Sequence, residues 1–207
     1  MHSISWTIRA GKTALSVLAL TFVSGCTLLV SQPQRPQPAA APPTLDFADP
    51  VLNQRTITLF GELTSEKAET VIRQLYYLSG KSSESISIHV GTTGGDISAG
   101  IAIANAMRVT SARVSVMVPS GCDASGTIVL VAATGDRLIF PESTVSIRGM
   151  GSPNSKEEGE PSAYAEFWKR NAKLPADWDV TDDRFLRLLS ADQALEYGLV
   201  DQVAEVR

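Results

Sequence analysis

The chain has 207 residues, 43% of them hydrophobic, and at about 150 residues per domain it holds one folded domain with a further segment to spare. Its net charge of −4 and its 6% aromatic content exclude the basic footprint and the base-stacking platform of a nucleic-acid binder. Two histidines, His2 and His89, and two cysteines, Cys26 and Cys122, cannot supply a four-ligand zinc site once the leader is discounted, so no metal and no cofactor is expected.

The first acidic residue is Asp46. Before it, Arg9 and Lys12 precede a short apolar run, Ala14 to Val23, and then Ser24-Gly25-Cys26. This is the layout of a secretory signal, and the run is too short for a confident transmembrane span. The ending Val23-Ser24-Gly25-Cys26 resembles a bacterial lipobox, which implies cleavage before Cys26 and lipid on its sulfur. Residues 1–25 are then a signal peptide. Loss of Arg9 and Lys12 leaves 16 basic against 22 acidic residues, a net −6. Residues 26–45 contain Gln32-Pro33-Gln34-Arg35-Pro36-Gln37-Pro38 and Pro42-Pro43, an extended tether. The expected location is the bacterial cell envelope, with the protein lipid-anchored to a membrane and facing the periplasm or exterior. With Cys26 acylated, Cys122 has no partner for an intramolecular disulfide.

The folded domain spans 46–207. Thr56–Phe60 reads as a strand ended by Gly61. A helix capped by Thr64 or Ser65 runs to Leu78, with Ala68, Val71, Ile72, Leu75 and Leu78 on one face and Gly80 as its stop. Ile86–Val90 is a second strand, Gly91–Gly95 a tight loop, and Asp96 caps a helix to Val109. Val114–Val118 is a third strand, Pro119–Asp123 a turn, and Ala124–Ala133 an apolar helix. Arg137–Phe140 and Thr144–Ile147 are short strands. A polar loop runs from Gly151 to Glu160, followed by a helix over Ala163–Ala172. Ser190 caps a helix over Ala191–Tyr197, and Leu199–Val206 returns as a strand. Alternating strands and helices mean an α/β fold of βαβ units, with a mostly parallel sheet and helices outside. Ligands of such sheets bind at the carboxyl ends of the strands, and those ends carry Gly91–Gly95 and Pro119–Asp123.

Two segments there bear on chemistry. In Thr92-Thr93-Gly94-Gly95-Asp96 the glycines let the backbone approach a ligand, and their amides suit an anion or a developing oxyanion. The Gly-Lys-Ser/Thr ending of a phosphate loop is missing. In Gly121-Cys122-Asp123-Ala124-Ser125-Gly126-Thr127 a serine stands at the start of a helix with the Gly126 amide beside it. It reads either as a nucleophile on a strand-to-helix turn or as a helix cap, and G-x-S-x-G is not matched.

Four stretches, in order over Arg55 to Val203, resemble the proteolytic subunits of Clp proteases: Thr92–Ile103, Gly121–Ala133, Phe140–Ile147 and Leu189–Asp201. The resemblance implies the Clp-protease/crotonase-like fold, with repeated ββα/βαβ units. It implies Ser125 as nucleophile and Gly95 and Gly126 as oxyanion-hole amides, and Gly94 and Arg148 are the candidate substrate-binding residues beside them. It also implies a peptide or unfolded-protein substrate and homo-oligomerisation. The sequence departs from the family at several points. Arg148 holds the position of the catalytic histidine. The acid matches Asp183 through Asp183-Arg184-Phe185-Leu186, but a gap-free alignment back from Ser190 puts Leu186 there. Asp123 replaces a small residue, and the stretch from Arg148 to Asp183 is shorter than the family's long handle helix.

A serine hydroxyl needs a base. A guanidinium stays protonated and cannot serve, and His89 reads as a half-buried strand residue. Lys156, Lys169 and Lys173 are the lysines that could replace an imidazole, as in Ser-Lys peptidases of this fold. Lys156 sits in a hydrophilic run, and Lys169 is the candidate base. Cys122 lacks a base as well. Arg148 can pair with Asp123 or with the carboxylate of a peptide. Three readings follow: a membrane-anchored Clp-type serine peptidase homologue with a non-standard or absent base, an inactive peptide-binding or scaffold module, and a crotonase-like acyl-CoA enzyme. An ATP-driven partner is not expected outside the cytoplasm, where ATP is scarce.

Overall fold

The computed structural model describes residues 50–150 and 163–205. The leader, Cys26, the tether and the whole 151–160 loop with Lys156 lie outside them. The order of elements is α1 Pro50–Asn53, β1 Thr56–Leu63, α2 Ser65–Lys81, β2 Ile86–Gly95, α3 Ile97–Val109, β3 Val114–Val118 and α4 Ala124–Val131. There follow β4 Arg137–Ile139, β5 Thr144–Arg148, α5 Ala163–Asn171, β6 Leu186–Ser190, α6 Ala191–Glu196 and β7 Gln202–Val203.

Five strands form a parallel sheet in the order β1-β2-β3-β4-β7. Alternate residues of its centre are buried: Ile57 and Leu59, Ile86, Ile88 and Val90, Val114, Val116 and Val118. Against that apolar layer lie the inner faces of α2, with Ala68, Val71, Leu75 and Leu78, and α3, with Ile103, Ala104 and Met107. The register lines up Thr58, His89 and Met117 across three strands. On that opposite face His89 and Met117 are half-buried and Thr58 is exposed, as the strand reading of His89 requires. The result is the expected mixed α/β fold with a mostly parallel sheet.

Several boundaries differ from the sequence expectation, each for a local reason. Gly61 does not end β1. It sits at φ +76° in a register shift against β2, and the strand resumes to Leu63. Gly80 does not stop α2, which continues to Lys81, where the Ser82 N–H reaches the Leu78 carbonyl. Gly91–Gly95 is no loop but the end of β2, held in the ladder by β1. Leu186–Ser190 is a strand, β6, antiparallel to β5. The final strand shrinks to Gln202–Val203.

β5 and β6 form a separate two-stranded ribbon. It is tied to the start of α4, since Cys122 pairs with Val145, its N–H donating to the Thr144 carbonyl and its carbonyl accepting from Ser146. The C-terminal segment is fastened by Arg137, whose guanidinium binds both Asp201 oxygens at 2.6 and 3.1 Å and the Gly198 carbonyl at 2.7 Å. Those hydrogen bonds hold the Asp201 carboxyl below its ordinary value of 3.8. The charged form is favoured in the folded state, so the pair's stabilisation is full above the unfolded pKa and fades as pH falls through the folded one. Asp201 is partly exposed, so the contribution is discounted to under ~1 kcal/mol. Asp201→Asn should therefore lower stability by that amount at pH 7, and the difference from wild type should shrink as pH falls below the ordinary carboxylate pKa of about 3.9, measured by urea unfolding across pH.

Candidate functional site

The helix α4 begins on Asp123, whose carboxylate is its N-cap. Acidic caps satisfy the free amides of a first helical turn, and here those of Ser125 and Gly126 donate to Oδ2 and Oδ1 at 3.2 and 3.3 Å. The same carboxylate accepts the Ser125 hydroxyl, with Oγ 2.8 Å from Oδ1 and 3.1 Å from Oδ2. It also accepts a short hydrogen bond from the Thr92 hydroxyl of β2. The Asp123 N–H in turn donates to the Thr92 carbonyl at 3.1 Å. Asp123 thus joins the end of β2 to the start of α4, and Ser125 is 0% exposed beneath it.

Close approach fixes the neighbours. A Cβ on Gly126 would lie 2.2 Å from Thr92 Oγ1, and one on Gly100 of α3 would lie 2.5 Å from the Ser125 carbonyl oxygen. Gly95 has φ +133°, and a Cβ there would lie 2.3 Å from the Leu63 carbonyl. The N–H of the next residue, Asp96, donates to the Leu63 carbonyl at 2.9 Å.

A cleft of about 440 Å³ opens at this end of the sheet, lined by Gly94, Gly95, Asp96, Ile97, Asp123, Ala124, Ser146, Arg148 and Leu186. Of the residues expected at the site, Gly94, Gly95 and Arg148 line the cleft. Ser125 and Gly126 lie behind Asp123. Arg148 is the last residue of β5 and is exposed, and its ladder partner on β6 is Leu186. Its carbonyl accepts the hydroxyl of Tyr164, a phenol that burial pushes above its ordinary pKa and keeps protonated.

The other expected residues lie elsewhere. Asp183 is exposed in the turn before β6 and does not line the cleft. Leu186, the gap-free alternative, stands opposite Arg148. Lys169 is paired with Glu166 at 3.1 Å on the exposed face of α5. Lys169 and Lys173 line a different cavity, of about 380 Å³, with Trp168 and Trp178. No lysine among the described residues lines the cleft. Cys122 is buried, and burial pushes its thiol up to about 12, so it is no substitute nucleophile. What sequence reasoning missed is the role of Asp123, which it offers as a partner of Arg148 and which is instead the cap of α4. An aspartate just before an apolar run is a helix-start signal, and it assigns the cap to Asp123 rather than Ser125.

Acyl transfer needs a hydroxyl open to substrate, a base for its proton, and free N–H donors where the oxyanion develops. Here the hydroxyl is buried and donates to a carboxylate, a far weaker base than imidazole. The Gly126 amide is taken by the same carboxylate. One oxyanion donor supplies about 2.7–4 kcal/mol. A carboxylate beside the oxyanion position opposes that stabilisation by like-charge repulsion.

A family model described as Clp protease matches residues 41–162 of the chain. The chain is 30% identical over 176 residues to the ATP-dependent Clp protease proteolytic subunit 2 of Treponema pallidum (strain Nichols), an alignment covering 78% of this chain and 87% of that protein.

Asp123→Ala removes the acceptor for two amides and two hydroxyls. It should destabilise the fold by about 2 kcal/mol. Asp123→Asn, which caps nearly as well, should cost less than half as much, both read from urea unfolding midpoints.

Proposed function

The chain belongs to the Clp protease family, and on that premise we propose that it is a peptide-binding member that does not turn peptides over. The observation that carries this reading is the hold of Asp123 on both the Ser125 hydroxyl and the Gly126 amide. In an active serine peptidase the hydroxyl belongs to a base and the amide to the oxyanion. Two further features support the reading. The resemblance puts Arg148 at the base position, where its guanidinium cannot accept a proton. The residue facing it across the β5–β6 ribbon is Leu186, which has no carboxylate to orient a base. The cleft in front of Asp123 keeps the size of a ligand pocket, about 300–1,000 Å³.

The same proposal holds the protein at a membrane in the bacterial cell envelope through lipid on Cys26, supported by the basic, apolar and small-residue order of the leader. It has homo-oligomers as its assembled form, supported by family membership.

The full chain should release no product from fluorogenic peptides above the level of Ser125→Ala. The variant Asp123→Ala/Arg148→His/Leu186→Asp frees the amide and supplies a base with its acid. Cleavage by it should rise by about 10²–10⁴-fold, the usual worth of a positioned base, and fall back when Ser125→Ala is added. Turnover by the unmodified chain that Ser125→Ala abolishes overturns the reading.

A further inference from the structure

We propose that the cleft receives the free C-terminal carboxylate of an extended peptide and that Arg148 is its receptor; this rests on the peptide-binding reading above and names the ligand of that same site.

The arginines of the described residues give the first argument. Arg55 caps the carbonyls of Leu78, Ser82, Glu84 and Ser85. Arg73, Arg113, Arg137 and Arg184 hold carboxylates. Arg108 and Arg187 lie over aromatic rings, and Arg170 donates to the Glu166 carbonyl. Arg148 alone among them has a guanidinium with no hydrogen bond, ion pair or ring contact, and it lines the cleft. A planar fork with five unspent donors matches a carboxylate in two-pronged fashion.

The second argument is the distribution of charge. Both carboxylates of the cleft, Asp96 and Asp123, belong to the residues that open α3 and α4. The one cation is at the end of β5. A peptide that carries its negative charge at one end is therefore attracted at the Arg148 side and repelled at the other, which sets its direction. A neutral mid-chain segment offers Arg148 only carbonyl oxygens, whose hydrogen bonds are weaker than those of a carboxylate.

The third argument is the backbone. β3 pairs with β2 only over Ile86–His89, whereas β2 runs to Gly95. On that side Thr93–Gly95 has no strand partner, and an extended peptide pairs with such an edge through main-chain bonds. The apolar groups of the cleft are Ile97, Ala124 and Leu186, and Leu186 is 59% exposed. They form a surface for apolar side chains next to the terminal carboxylate.

The test uses the full chain in detergent and fluorescein-labelled hexapeptides whose last two residues are varied over Ala, Val, Leu and Phe. Each peptide is made as the free acid and as the amide, and binding is read by anisotropy. The best free acid should bind about tenfold to hundredfold more tightly than its amide. Arg148→Ala should remove that difference, bringing the free acid down to the level of the amide. Arg148→Lys should restore part of it, as a point charge without the fork. Circular dichroism of the variants confirms that they fold. Equal binding of acids and amides, unaffected by Arg148→Ala, overturns the carboxylate receptor and leaves peptide binding standing. Binding of neither form across the set overturns both. Cleavage of the bound peptides, checked by mass spectrometry and lost in Ser125→Ala, overturns the non-catalytic reading and leaves the receptor to be judged by the acid-to-amide ratio.

Discussion

One carboxylate decides how this end of the molecule is built and what it can do. Asp123 caps α4, accepts the Thr92 hydroxyl from β2 and accepts the Ser125 hydroxyl from the next turn. Partly burying a charge is costly unless donors surround it, and the half-buried Asp123 gathers two amides and two hydroxyls. Two of those donors, the Ser125 hydroxyl and the Gly126 amide, are ones a serine peptidase turns to its substrate. Structural satisfaction and catalysis therefore compete for one set of hydrogen bonds, and in this chain the structural use has them.

The rest of the site is consistent with that outcome. Arg148 and Leu186 are cross-strand neighbours at the open end of the β5–β6 ribbon. Both are exposed, so neither residue type is dictated by packing. The buried layer beneath, with Val145, Ile147 and Leu189, holds the ribbon whatever stands at its tip. A fold of this kind keeps its sheet, its glycine contacts and its cleft while the groups at the cleft change chemistry. The Gly95 and Gly100 contacts belong to the frame, since any side chain at those two positions would strike backbone.

Much of the architecture was legible in the sequence because the patterns are strong. Period-two burial in Ile86–Val90 and Val114–Val118, and the caps Thr64, Asp96 and Ser190, all lie where the structure has them. The misses have physical causes. Glycines at 61, 80 and 91 look like punctuation in one dimension, but ladder and helix bonds on either side carry the chain through them. Leu186–Ser190 carries an exposed face, with Leu188 68% exposed, so it lacks the inside–outside alternation that marks a strand; its pairing with β5 creates it. At the site, the family resemblance located the right segments but not the direction of the hydrogen bonds. That Ser125 is covered depends on tertiary packing, which no spacing in the sequence encodes; that Leu186 rather than Asp183 faces Arg148 depends on β-register, and of the two alignments only the gap-free one back from Ser190 carried it.

The most direct test is covalent. The full chain is treated with a fluorophosphonate, which reacts only with an activated serine, alongside the Ser125→Ala variant, and the adduct is mapped by peptide mass spectrometry. With the hydroxyl buried and engaged by Asp123, Ser125 should remain unmodified in the folded protein. Stoichiometric labelling at Ser125, absent from the variant, would show an open, activated hydroxyl and contradict the account.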